Sequence, residues 1–249
     1  MIIIKTDIEI EYMRHAGKVV ANTLLKLEEA IRPGITTAEL DIIAEEYILK
    51  QGAKPSFKGY CGFPGSICTS VNNEVVHGIP SKNVVLQEGD IISVDCGAIL
   101  NGYQGDAART FSVGKTSEEA LKLIEVTKQS FFKGVEKAIV GNKLTDISAA
   151  VQEYVESFGY SVVRDYVGHG IGKEMHEDPE VPNYGRPGRG PTLKKGIVLA
   201  IEPMVNIGKY NVEVESNDWT VVTVDKSLSA HYENTVAILD NGPEILTIV

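Results

Sequence analysis

Apolar residues recur at helical spacing over four stretches of the chain and cluster at strand spacing between them. The layout this predicts is helix, helix, strands, and then the same again. Thr6-Asp7-Ile8-Glu9 reads as a capping box, with Thr6 as N-cap and Glu9 at N3. The helix behind it carries Ile10, Met13, Val20, Leu24 and Leu27 on a broad apolar stripe and ends before Pro33-Gly34. Thr36 with Glu39 repeats the signal, and a second helix runs through Leu40, Ile43 and Tyr47 to about Gly52. Gly- and aromatic-rich residues over Phe57–Gly65 follow, then a strand-like segment Ile67–Val76 and the corner His77-Gly78-Ile79-Pro80. Next come two β-branched runs around Asn101-Gly102, the strongest short-range signal for a hairpin.

The pattern then restarts. Thr116 with Glu119 caps a third helix through Leu121, Ile124 and Val135 that stops near Gly141, and a fourth runs from about Thr145 to Phe158, ending at Gly159. A single offset of 107 residues carries Gly34 to Gly141, Tyr47 to Tyr154 and Gly52 to Gly159. The same offset carries Asp95, in IISVDCGAI, onto Glu202, in IVLAIEPMV, so a strand carboxylate lands on a carboxylate. Two related halves, about 6–112 and 116–239, are expected to close into one domain over 1–249. The glycine-flanked Val167–Lys173, His176 and an irregular Pro/Gly-rich loop, Asp178–Pro191, precede strands at about Ile197–Val205, Thr220–Val224 and His231–Leu239.

The hairpin carries the first chemistry. With Asn101-Gly102 as the turn, Asp95 pairs with Ala108, and Asp106 lies two positions away on the same face, roughly 7–8 Å off as a diagonal neighbour. Two carboxylates in the apolar centre of a hairpin repel each other, and they need a shared proton or a cation.

Composition narrows the class. Apolar residues make up 43% and charged residues 23%, enough for an ordinary buried core. The net charge of −10 gives no basic footprint, which argues against nucleic acid as the primary ligand and leaves room only for a local basic patch. Cys61, Cys68 and Cys96 have no metal-type spacing and cannot all pair, so a reduced, cytoplasmic protein is expected. The N-terminal apolar run is broken by Lys5, too early for a signal peptide or a membrane span.

Three further residues change the picture. Glu202 interrupts a strongly apolar strand, and a charge so placed is almost never buried unpaired. Glu233 is less anomalous, because alternation could place it on a wet face. Gly-flanked His169 is a satisfied polar residue or a ligand. GHGIGK is not a phosphate loop, since Val167 and Glu174 break that motif. His15 and His231 read as structural or surface histidines. Taken together, Asp95, Asp106, Glu202, Glu233 and His169 suit borderline divalent cations, and four negative charges balance two dications.

The order VVHGIP, DCGAILNGYQGD, GHGIG with His176 beyond it, IEPM and SAHYENT closely resembles the short bacterial type I methionine aminopeptidases. That resemblance implies an α+β pita-bread fold, a curved antiparallel sheet flanked by helices with internal pseudo-two-fold symmetry. It implies Asp95, Asp106, His169, Glu202 and Glu233 as ligands of two cations (cobalt, manganese or iron(II)), with Asp106 and Glu233 bridging. His77 and His176 would contact substrate near the scissile bond, Glu202 would also transfer protons, and Tyr60, Phe63, Cys68 and Trp219 would line the methionine pocket. The implied reaction is removal of N-terminal methionine before a small second residue, by a metal-bridging hydroxide. The expected partners are peptide and nascent-protein N-termini and the ribosome, with no membrane and a monomeric chain. The chain departs from the family pattern at Met175, where an aromatic residue is common, in SNDWT, which lacks a Gly before Trp219, and at His231 and Asn234 around Glu233. A proline-specific relative shares the five ligands but usually adds an N-terminal domain. The type II enzyme needs an insertion for which the 31 residues from Glu202 to Glu233 leave no room. A metal-free peptide-binding module on the same fold is the alternative outside the enzymes.

Overall fold

The computed structural model describes residues 1–248. Its helices are α1 (Asp7–Ala30), α2 (Thr37–Lys50), α3 (Glu118–Val135) and α4 (Leu144–Glu156), and the strands between them pair antiparallel throughout. Both Thr-Glu capping boxes form as expected: Thr6 accepts from Glu9 N, and Thr36 accepts from Glu39 N.

The repeat is visible in the backbone. Gly34 and Gly141 adopt φ of 91° and 95°, Gly52 and Gly159 adopt 73° and 79°, and each pair closes the corresponding helix or its approach in left-handed backbone. The lone bridges Thr36–Val85 and Lys143–Thr192 are also related by the 107-residue offset. Two adjacent helices cover strands in each half. Val20, Leu24, Leu40 and Ile48 pack on Ile92 and Val94 in the first, and Phe131 and Ile147 pack with Leu199 and Val236 in the second.

The hairpin consists of Ile91–Leu100 and Tyr103–Ser112, turning at Asn101 (φ 52°) and Gly102 (φ 79°), with Asp95 opposite Ala108 and Asp106 opposite Gly97. Ile67–Val71 adds to its other side and sets Cys68 opposite Asp95. The halves meet where Ala108 and Glu233 exchange main-chain hydrogen bonds of 3.0 and 3.3 Å.

Several predicted elements end elsewhere. Ile67–Val76 is two strands, Ile67–Val71 and Glu74–Val76, because Asn72 turns left-handed at φ 56°. The N-cap of α3 is Ser117 rather than Thr116, and α3 stops at Val135, with turns carrying the chain to Gly141. The Asp178–Pro191 loop begins inside a strand, Glu177–Val181, which occupies a sheet edge where Pro179 needs no ladder partner. The Ile197–Val205 strand is broken at Glu202-Pro203 and the His231–Leu239 strand at Tyr232-Glu233, and the pieces belong to different sheets. Proline has no N–H to give to a ladder, while its carbonyl still accepts from Tyr232 N at 3.2 Å.

α1 lies tightly against the C-terminal residues, where a Cβ on Gly17 would run into the Leu246 carbonyl oxygen. In an unconstrained helix Gly→Ala adds roughly 0.5–1 kcal/mol of stability. Here overpacking reverses the sign, and Gly17→Ala is expected to destabilise by about 1–3 kcal/mol. Thermal unfolding that shows the variant melting at or above wild type would refute the close approach.

Candidate active site

A cavity of ≈ 330 Å³ opens between the halves, and every residue predicted for chemistry or substrate lies on its wall. Asp95 and Asp106 come from the hairpin, His169 from the strand Gly168–Gly170, and Glu202 and Glu233 from the two chain breaks. The register of the two paired strands sets Asn234 opposite Ile201, so Glu202 and Glu233, one residue further on, lie opposite each other and both face the cavity.

Main-chain hydrogen bonds hold the set from behind. Thr235 Oγ1 receives Asp106 N at 3.0 Å and donates to Asp106 O at 2.9 Å. Asn183 Nδ2 donates to Glu202 O at 2.9 Å. Arg109 Nη1 donates to Glu233 O at 2.5 Å while its guanidinium stacks 4.2 Å from the Tyr232 ring.

The carboxylates crowd one another, Asp106 and Glu233 buried and Asp95 and Glu202 partly so. Glu233 is 2% and Asp106 4% exposed, so Glu233 faces the dry interior rather than a wet one. Burial first, then mutual repulsion, pushes the pKa values of Asp106, Glu202 and Glu233 well above the ordinary carboxylate range. Burial raises Asp95 to about 7. Asp95 Oδ1, Asp106 Oδ1 and Glu233 Oε1 are buried with no hydrogen-bond partner.

His169 is oriented toward this cluster. Its Nδ1 lies 2.9 Å from the Gly170 carbonyl, so Nδ1–H donates there and Nε2 presents its lone pair, 3.5 Å from Glu202 and 4.0 Å from Asp106. Burial, aided by His176, lowers its pKa to about 4 and keeps the ring neutral. Asp106, His169 and Glu233 offer ligand atoms within 4.8 Å of one another.

The rest of the wall is apolar or aromatic. Phe63 meets Trp219 edge-on at 5.1 Å, and Cys68, Met175 and Met204 add sulfur. Met175 is 2% exposed and packs among Phe57, Ile171 and Tyr103, so the pocket stays apolar where the family often has an aromatic ring. At the mouth, Tyr60 Oη lies 2.7 Å from His176 Nδ1, and the His176 ring sits 4.4 Å from that of His169. His77 adopts φ 60° against Tyr166, and burial lowers its pKa to about 4.

Tyr166, on the wall, and His231, beside the cluster, are not among the residues the sequence predicts for the site. Tyr166 carried no signal beyond its nearness to the glycine loop. His231, read there as structural or surface, is 1% exposed and reaches the carboxylates: its Nε2 lies 3.9 Å from Glu202 and 3.8 Å from Glu233. Two-residue alternation already sets His231 and Glu233 on one face; what the sequence does not show is that this face is turned inward, toward Glu202. His15 stays on the surface, 3.4 Å from Glu11.

The family model for metallopeptidase family M24 matches residues 11–240. A methionine aminopeptidase of Clostridium acetobutylicum is 77% identical over 248 residues, spanning 100% of this chain and 99% of that one. The crystal structure of methionine aminopeptidase from Thermotoga maritima superposes with a TM-score of 0.99 at 50% identity, covering 100% of both chains. Prolidase from Pyrococcus furiosus shares the fold at a TM-score of 0.80 and 27% identity, but 99% of this chain covers only 66% of that one. With the pita-bread architecture and full-length likeness in agreement, the chain belongs to metallopeptidase family M24, among its methionine aminopeptidases.

Proposed function

We propose that the cavity is where this metallopeptidase removes the N-terminal methionine from peptides and nascent proteins, with Asp95, Asp106, His169, Glu202 and Glu233 holding two divalent cations of cobalt, manganese or iron(II). The observation that carries the reading is the convergence of four carboxylates and a lone-pair-presenting imidazole, three of their oxygens buried without partners, beside a thioether-sized pocket. Buried anions so close need compensating cations, and oxygen donors with one imidazole suit borderline divalent ions. When bound, such ions lower the pKa of water and polarise a carbonyl.

The protein's own groups do the rest. Glu202, facing the cavity and its pKa raised by burial, takes the attacking water's proton and delivers it to the leaving nitrogen. Tyr60 donates its hydroxyl hydrogen to His176 Nδ1, so Nε2–H is free to meet the developing oxyanion. His77, neutral in its site, orients the leaving nitrogen. Phe63, Trp219 and Cys68 receive the methionine side chain, for which an aromatic and sulfur lining is well matched. Crowding beside the cluster favours a small second residue. Working in the cytoplasm as a monomer on chains leaving the ribosome fits the three free cysteines and the lack, among the described residues, of any helix long and apolar enough to cross a membrane.

The test is turnover of Met-Ala-Ser against Ala-Pro peptides. Release of methionine from the first, with at least a hundredfold lower rate on the second, is expected. Preference for Ala-Pro would replace the reading with proline-specific hydrolysis, and no ion-dependent cleavage of either would favour a binding module.

A further inference from the structure

His231 ends the strand Ser229–His231, directly opposite Met204, and its ring points into the carboxylate cluster. Neither ring nitrogen has a hydrogen-bond partner, although the residue is 1% exposed. That is unusual for a buried imidazole, which normally satisfies at least one nitrogen. Its Nε2 lies 3.8 Å from Glu233 Oε2 and 3.9 Å from Glu202 Oε2, too far for hydrogen bonds but in line with the spacing of two ligands on one ion. Asp95, His231 and Glu233 together offer atoms within 4.8 Å of one another. The other such group, Asp106, His169 and Glu233, shares Glu233 and likewise contains one imidazole.

We propose that His231 is a sixth ligand of the centre, binding the cation held by Asp95 and Glu233, so that each of the two ions has one imidazole donor. The proposal rests on the two-cation reading above. Chemically, an imidazole in place of an all-oxygen set favours cobalt and iron(II) over manganese at that position.

Calorimetric titration of the metal-free protein with Co²⁺ tests it, comparing wild type with His231→Gln, which retains a hydrogen-bond donor but offers no comparable ligand. Two sites are expected in wild type. In the variant, one should weaken about 10–100-fold, as loss of a centre's supporting group typically does. The other should hold its affinity, and the ratio of Co²⁺ to Mn²⁺ affinity should fall at the weakened site. Two unchanged sites in a variant with a wild-type circular dichroism spectrum would overturn the proposal. A measurement on wild type guards against a variant that fails to fold. Proton NMR of the Co²⁺-loaded wild type should show two paramagnetically shifted, exchangeable imidazole N–H signals, from His169 and His231. One such signal with two Co²⁺ bound overturns the role of His231 alone, whereas no Co²⁺ bound overturns the two-cation reading beneath it.

Discussion

Glu202→Gln is expected to cut methionine release from Met-Ala-Ser by about 10³-fold or more while raising the melting temperature of the metal-free protein. The first effect follows from the proposed proton transfer, a step whose loss typically costs 10²–10⁴-fold. An amide cannot accept the proton, although it preserves the shape and the main-chain bond from Asn183. The second effect has a different origin. Without cations, Glu202 sits among Asp95, Asp106 and Glu233, all with pKa values raised by burial, and the cluster is held together against its own repulsion. An amide needs neither a proton nor a counter-charge when buried, so the variant escapes the cost that burial and the neighbouring carboxylates impose on this group, about 1.4 kcal/mol for each tenfold change in its proton affinity on folding. At about 2–4 °C per kcal/mol for a chain of this size, the melting point should rise measurably. Wild-type turnover would remove Glu202 from the mechanism, and a lower metal-free melting point would show that the carboxylates are not in mutual conflict. Few single changes should abolish activity and stabilise the protein together, which makes the pair of measurements discriminating.

Removing divalent cations with a chelator is expected to abolish cleavage, with Mn²⁺, Fe²⁺ or Co²⁺ restoring it. The accompanying stability change has a definite dependence on pH. Asp95 is raised to about 7 and its three companions are raised well above the ordinary range, so the folded metal-free protein binds protons more tightly than the unfolded chain does. The stability this contributes is whole below about pH 4, where the unfolded carboxylates titrate, and is lost as pH rises through 7 and beyond. Cations compete with those protons, so they bind more tightly as pH rises. The melting-point gain on adding Co²⁺ should therefore be small at pH 5 and larger at pH 8. At a free concentration of a hundred times Kd it corresponds to about 2.7 kcal/mol. A gain that shrinks with rising pH would contradict the assignment of these carboxylates as ligands, and cleavage surviving complete chelation would remove the metal from the mechanism.

The proposed role of His231 would qualify this picture, because a neutral imidazole beside Asp95 and Glu233 would add a donor without adding charge. Burial, with repulsion from His77 and Arg109, lowers its pKa to about 3. On the two-cation reading, four carboxylates would still balance two dications, and the donor set rather than the charge would distinguish the centre. Arg109 acts from the other side. Its guanidinium holds the Glu233 carbonyl and Asn234 Oδ1, fixing the strand break from which Glu233 projects.

What the sequence could determine by itself was whatever depends on near neighbours. Thr6 and Thr36 with their glutamates mark helix starts, because a capping box closes within one turn. Asn101-Gly102 sets the hairpin register, and with it the shared face of Asp95 and Asp106, because a two-residue turn leaves only one alignment. The 107-residue repeat shows in glycines that need the same left-handed backbone in each half. Tertiary structure decided the remainder. Pro203 and the main chains that meet at Ala108 and Glu233 split two apparent strands between different sheets. Alternation puts His231 and Glu233 on one face, but only the packing of the second half against the hairpin decides that this face is the buried one, beside Glu202. Burial of one residue is set by chain segments more than a hundred positions away, as Ala108 meeting Glu233 shows, and no local pattern carries that distance.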